Sequence, residues 1–403
     1  MYQTLLIFAA FAFVYSITAG RLERTPFSGA LAFAVFGALC GSRGLGWLDL
    51  DVSAEGVRAL AEMTLALVLF TDAANADLSV LSKDIGLPRR LLLVGLPLTI
   101  LLGIGGGVLL LDGLTLIEVA VLATMLAPTD AALGKAVVTN PDVPKTIRES
   151  LNAESGLNDG ICVPILFVFL AIATGANVED STTALALKLV AAEIGIGLAV
   201  GVSLTVAGSW LLAACAERGW LTETWRQLPV VALAAASFAA AQSLGGSGFI
   251  ACFAGGMLFG WIARAHRHRL LLAAEGTGDT LALITWVVFG AALLDKYVGQ
   301  LSWTVLLYAF LSLTVIRMLP VYLVLAGTGL SVGDKLFMGW FGPRGLASIV
   351  FGVIVLQQDL PGGPVIAVTV FCTILLSVIA HGLTANPLSS ALGRGRGTGA
   401  GGG

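Results

Sequence analysis

Three short stretches of this chain hold oxygen- and charge-bearing side chains inside otherwise apolar surroundings. The first is Ala127-Pro128-Thr129-Asp130-Ala131-Ala132-Leu133-Gly134. The second, Glu154-Ser155-Gly156-Leu157-Asn158-Asp159-Gly160, puts Ser155, Asn158 and Asp159 at i, i+3 and i+4, so that on a helix their oxygens share one face. The third is Gly342-Pro343-Arg344-Gly345. Carboxylate, hydroxyl, amide and carbonyl oxygens are hard donors, suited to Na+, Li+ or a proton and not to soft metals. A carboxylate among them can also gain and lose a proton. Binding of a small monovalent ion is therefore the chemistry these residues offer, without a nucleophile–base pair for covalent work.

Each stretch also has a plainer account. Pro128 removes one helix hydrogen bond and obstructs another, so Thr129 and Asp130 can be the cap of a kinked helix. Capping and ion binding are compatible. The Glu154–Gly160 stripe can be a helix start lying at an interface, but residues 140–149 already supply a polar, Pro-bearing loop before it. Arg344, a lone cation in an apolar run, needs an acid, and Asp72 in Leu69-Phe70-Thr71-Asp72 is the nearest one unassigned. An Arg344–Asp72 ion pair is expected. Glu193 and Arg317 are read as structural, and Lys135 and Glu62 are weaker candidates still. Glu275 and Asp279 lie at i, i+4 near a helix start, where carboxylates suit the positive helix end.

The elements that position these groups follow from composition. Of 403 residues, 57% are hydrophobic and 12% charged, about half the charged share of a soluble domain. The net charge of −3, with the basic residues dispersed, excludes a nucleic-acid partner. Five cysteines without a C-x-x-C pair form neither a disulfide framework nor a zinc site. His266 and His268 sit in a basic loop, and His381 stands alone near the end of the last apolar run. The chain is an all-α polytopic membrane protein, its partner the lipid bilayer. Apolar runs of roughly 20 residues, the length of a membrane crossing, occur near 3–19, 28–46, 56–75, 91–111, 115–137, 150–174, 184–213, 227–244, 247–263, 273–294, 301–328, 336–357 and 363–386. Thirteen spans are expected. Residues 391–403, rich in glycine, are expected to be a disordered tail.

Basic residues set the orientation. Arg21 and Arg24 follow the first run instead of preceding it, the order of a helix with its N-terminus outside and not of a cleaved signal. Segments 20–27, 76–90, 138–149, 214–226, 264–272, 329–335 and the tail then hold fifteen Lys and Arg. Four, Arg43, Arg58, Lys188 and Lys296, lie at the opposite side. That bias places the N-terminus outside and the C-terminus in the cytoplasm. Asp130 and Arg344 are 214 residues apart, which superposes the first six spans on the last six. The unit is one transporter domain over 1–390, with repeats near 1–174 and 227–386 and a linking helix near 184–213. An odd linker inverts one repeat against the other. Paired Gly/Pro-broken spans at corresponding places, here the fifth and twelfth, point to a transporter's midplane site.

At these residues the chain resembles the cation:proton antiporter-1 family, which holds the NhaP-type sodium/proton antiporters and the animal sodium/hydrogen exchangers. The resemblance rests on Thr129-Asp130, on Glu154-Ser155-x-x-Asn158-Asp159-Gly160, on Gly342-Pro343-Arg344-Gly345 and on Leu69-Phe70-x-Asp72, and it runs to about residue 390. It implies a homodimeric inner-membrane antiporter without bound cofactor or covalent catalysis, working by alternating access with helices 5 and 12 crossed and partly unwound. It further implies that Asp159 binds either the cation or the proton. Asp130, Thr129 through its carbonyl, Ser155 and Glu154 would complete a Na+ or Li+ shell, partly through water. Asn158 fills the position where electrogenic relatives carry a second Asp, which implies electroneutral 1:1 exchange. Arg344 with Asp72 would brace the crossing. Three alternatives stand beside this: a potassium/proton antiporter, a sodium-coupled organic-solute symporter, and a transport-dead sensor or channel.

Overall fold

Hydrocarbon offers backbone N–H and C=O groups no water to bond, so a spanning segment must satisfy them internally, as helix or closed barrel. The computed structural model describes residues 2–22, 25, 28–42, 44–48, 55–76, 86–130, 133–175, 181–293 and 298–397, and each of the thirteen apolar runs is helical in it. No strand occurs among the described residues. The helices are α1 (Tyr2–Leu22), α2 (Gly29–Cys40), α3 (Glu55–Asn75), α4 (Leu87–Leu110), α5 (Leu116–Met125), α6 (Lys135–Val138), α7 (Lys145–Gly175) and α8 (Ser181–Glu217). After them come α9 (Leu228–Ser243), α10 (Gly248–Ile262), α11 (Arg267–Val288), α12 (Trp303–Val324), α13 (Val332–Trp340), α14 (Leu346–Leu356) and α15 (Gly363–Gly397).

Seven of these stretches, α1, α4, α7, α8, α11, α12 and α15, are long and apolar enough to cross a membrane unaided. Large apolar side chains such as Leu6, Phe13, Leu109, Trp210 and Phe310 are exposed on their outer faces. That is the expected pattern where the solvent is lipid. The long α7, α8 and α15 exceed a bilayer's thickness and must tilt or project from it.

Two spans are interrupted where Pro and Gly stand in the sequence. The fifth run divides into α5 and the short α6, and the twelfth into α13 and α14, the latter two separated by the non-helical residues 341–345. Each broken span is followed by a long helix, α7 after the first and α15 after the second. The two breaks meet: the Asp130 amide donates to the Pro343 carbonyl at 2.8 Å. Around the crossing the core is filled by Phe70 of α3, Leu122 of α5, Phe259 of α10, Phe351 of α14 and Phe371 of α15, all nearly inaccessible.

One expectation is corrected at the C-terminus. The glycine-rich sequence predicts disorder from residue 391, but α15 stays helical to Gly397, and a Cβ at Gly393 would stand 3.0 Å from the Asp142 Cβ. Tertiary packing there outweighs glycine's poor helix propensity. Residues 398–403 lie outside the described residues.

Candidate functional site

A helix that stops inside a membrane leaves carbonyls at its C-terminal end that must find donors. At the end of α5 those donors come from other elements. The Ser348 hydroxyl of α14 donates to the Met125 carbonyl at 2.7 Å. Arg344 Nη1 donates to the carbonyls of Ala127 and, at 2.9 Å, Pro128. The Ser155 hydroxyl of α7 donates to the Thr129 carbonyl. The Asp130 carbonyl accepts the Gly134 amide at 3.2 Å.

The Asp130 carboxylate joins the two half-helices that restart after the breaks. Oδ1 accepts the Leu133 amide at 3.1 Å, and Oδ2 accepts the Leu346 amide, at the start of α14, at 2.8 Å. A carboxylate at two helix starts is favoured by both the unpaired N–H groups and the helix dipoles. Gly345 is required for this approach, since a Cβ there would run into Asp130 Oδ2.

On α7 the expected one-face stripe is present and faces the break. The Asn158 amide nitrogen donates to Thr129 Oγ1 at 2.7 Å, which turns Asn158 Oδ1 away from Thr129. Asn158 Oδ1 and Asp159 Oδ1 are buried and find no hydrogen-bond partner among the described residues. Two buried acceptors left open side by side in sequence, on the same helix, invite a cation or a proton. Asp159 lies within electrostatic reach of Asp130 and Asp72. Asp72 itself packs beside α7, where a Cβ on Gly156 would stand 3.2 Å from the Asp72 carbonyl. Asp72 lies in turn within electrostatic reach of Asp279 and Glu275 on α11, and Glu275 Oε1 accepts from Asn75 Nδ2 at 2.6 Å.

Two sequence-based assignments are corrected. Arg344 does not pair with Asp72. Its Nη1 instead donates to the carbonyls of Ala127 and Pro128, in the break just after α5, while Nε and Nη2 are buried without a hydrogen-bond partner among the described residues. Glu154, expected in the cation shell, is held instead by Arg317 of α12. Nη1 donates to Oε1 at 2.5 Å and Nη2 to Oε2 at 2.8 Å, a bidentate pair with side chains 1% and 2% exposed. Glu154 and Asp159 lie five positions apart on α7 and so point in different directions. Arg317 also reaches the second break, since a Cβ on Gly342 would be 2.6 Å from its Nε and 3.0 Å from the Thr129 methyl. The structure thus brings together Thr129, Asp130, Ser155, Asn158 and Asp159, with Arg344 and the Glu154–Arg317 pair as their supports. Residues that sequence reasoning left out are Ser348 and, on α15, Ser377, whose hydroxyl accepts the Arg344 amide at 2.7 Å.

Paired broken helices that cross inside an all-helical membrane domain are the arrangement that marks the midplane site of transporter folds. The chain belongs to the sodium/hydrogen exchanger transmembrane family, whose pattern matches residues 8–391. It is 25% identical over 259 residues to the K(+)/H(+) antiporter NhaP2 of Shewanella sp. strain ANA-3, covering 64% of this chain and 44% of that protein. It is also 25% identical over 367 residues to the Na(+)/H(+) antiporter ApNhaP of Aphanothece halophytica, covering 87% of this chain and 68% of that one. The chain therefore spans less than half the length of the NhaP2 relatives it matches. In fold it is similar to the sodium proton antiporter MjNhaP1 of Methanocaldococcus jannaschii, with a TM-score of 0.73 at 18% identity over 97% of both chains.

Proposed function

We propose that this protein is a secondary antiporter that exchanges a monovalent cation for a proton by alternating access around Asp159. The observation that carries the proposal is the pair of buried, unpartnered oxygens, Asp159 Oδ1 and Asn158 Oδ1, beside the break that exposes Thr129 and Asp130. A cation seated there would take Asp159 Oδ1, Asn158 Oδ1 and the remaining lone pairs of Ser155 Oγ and the Thr129 carbonyl, with Asp130 behind them. A proton on Asp159 removes the charge that holds the cation, so each occupant displaces the other. With Asn158 neutral, one carboxylate alternates between one cation and one proton, and exchange is electroneutral. The N-terminus lies outside and the C-terminus inside, and the protein works as a homodimer.

Na+ is the cation proposed. K+ is the second candidate, favoured by the name of the NhaP2 relatives as K(+)/H(+) antiporters. The test is purified protein in liposomes with an imposed pH gradient. Addition of Na+, Li+ or K+ should dissipate it with wild-type protein, and Asp159→Asn should abolish dissipation by all three. An active Asp159→Asn variant would remove the proposal.

A further inference from the structure

The ends of the second break are tied to α15 by side chains with no assigned role. Trp340 is the last residue of α13, and the non-helical segment Phe341–Gly345 follows it. His381, 2% exposed, places Nε2 at 2.8 Å from the Trp340 carbonyl. Its Nδ1 lies 3.2 Å from Ser377 Oγ and 2.8 Å from the Ser377 carbonyl. Ser377 Oγ accepts the Arg344 amide at 2.7 Å, and the Trp340 indole donates to Thr384 Oγ1 at 2.9 Å. Ser377, His381 and Thr384 stand at i, i+4 and i+7 and line one face of α15. The Trp340 ring lies over the imidazole with centroids 5.1 Å apart.

The Trp340 and Ser377 carbonyls are both acceptors only, so His381 donates to Trp340 in the forms that carry a hydrogen on Nε2 and to Ser377 in those that carry one on Nδ1. The Trp340 carbonyl also accepts the Gly342 amide at 2.8 Å, so in the forms with a hydrogen on Nε2 both its lone pairs are engaged. The break is therefore gripped at both ends, at Trp340 by His381 and at Arg344 by Ser377. Between and just beyond those grips lie the groups that touch the first break. Pro343 accepts the Asp130 amide, Arg344 holds the Ala127 and Pro128 carbonyls, and the Leu346 amide caps Asp130.

We propose that His381 is a positioning residue for cation binding: with Ser377 it fixes the register of the second break, and through it the placement of Asp130 and Thr129. This rests on the antiport reading above. Loss of the grip lets Pro343 and Leu346 shift relative to Asp130, and the cation site loosens while the helices stay packed.

The test is cation-driven dissipation of a pH gradient in liposomes, with rates normalised to folded protein and Na+ and K+ each titrated. His381→Leu should raise the half-saturating cation concentration about tenfold, the scale of one buried hydrogen bond lost. His381→Gln can return an N–H near the Nε2 position and should stay within about threefold of wild type. Ser377→Ala should shift half-saturation in the same direction, and Ser377→Ala with His381→Leu should fall short of the product of the two. If His381→Leu does not fold, the Ser377→Ala shift and the His381→Gln rescue relative to His381→Asn, whose shorter amide cannot reach Trp340, carry the result. Exchange-competent wild type with unchanged half-saturation in these variants overturns the positioning role alone, as does a Gln variant no better than Asn. Wild type that exchanges no cation overturns the antiport reading and this proposal with it.

Discussion

Removing one partner of the Arg317–Glu154 pair tests how the crossing is braced. Both carboxylate oxygens are engaged, at 2.5 and 2.8 Å, and both side chains are buried. Arg317→Met leaves the Glu154 carboxylate in an apolar environment without its cation, a loss that typically costs ~3–5 kcal/mol. With an unfolding entropy of ~2.1 cal/mol/K per residue, that corresponds to a melting temperature lower by about 4–6 °C for a chain of this length. Glu154→Met alone strands the guanidinium and should cost a similar amount. The double variant Glu154→Met/Arg317→Met buries no charge and should recover to within ~1–2 kcal/mol of wild type, since an apolar pair of similar volume often replaces a buried ion pair without loss. The assay is thermal unfolding in detergent for the four proteins of the cycle. Strictly additive losses would refute the pairing. The double variant also separates two roles for Glu154. As a brace, its replacement together with Arg317 leaves cation half-saturation largely unchanged. A stable double variant that no longer binds cation would return Glu154 to the cation shell and contradict its role as a brace.

Further outcomes follow from the same geometry. Gly345→Ala should abolish exchange, because the added methyl displaces Asp130 Oδ2 from the Leu346 amide, whereas Gly352→Ala, whose Cβ would meet only Val370 and Met125 at 3.8 and 4.0 Å, should be tolerated. Liposome exchange assays on the two variants check the contrast. Ser348→Ala leaves the Met125 carbonyl without its donor and should cost ~1–3 kcal/mol, read as a lower melting temperature with expression intact. Exchange by wild-type protein should not respond to an imposed membrane potential, and Asn158→Asp, which adds a second carboxylate, should make it respond. Valinomycin-clamped liposomes give that comparison.

Much of the fold was legible because membrane spans announce themselves by length and apolarity, and because Pro128 and Pro343 combine with neighbouring polar, charged and glycine residues to mark breaks, whereas Pro164 and Pro387 stand inside continuous helices. The one-face stripe of Ser155, Asn158 and Asp159 was legible for the same reason: helical periodicity fixes which side chains share a face. The partners of buried charges were not legible. Arg344 was assigned to Asp72 by elimination, on the premise that a buried guanidinium needs a carboxylate. The carbonyls freed by Pro128 answer that need, and the signal for them was present in Pro128 itself. Arg317 offered no such signal. Its meeting with Glu154 depends on how α12 crosses α7, which spacing along one helix cannot convey. His381 looked solitary because its contacts are the backbone of Trp340, 41 residues away, and a serine one turn back on its own helix.

Competition of cation and proton for the Asp159 carboxylate is read from sodium uptake into liposomes held at equal internal and external pH. Where protonation competes, the half-saturating Na+ concentration should rise about tenfold for each unit of pH lost, as one-proton competition requires, while the maximal rate changes little. Half-saturation that stays flat while the maximal rate collapses would place the proton at a separate regulatory site and contradict shared occupancy of Asp159.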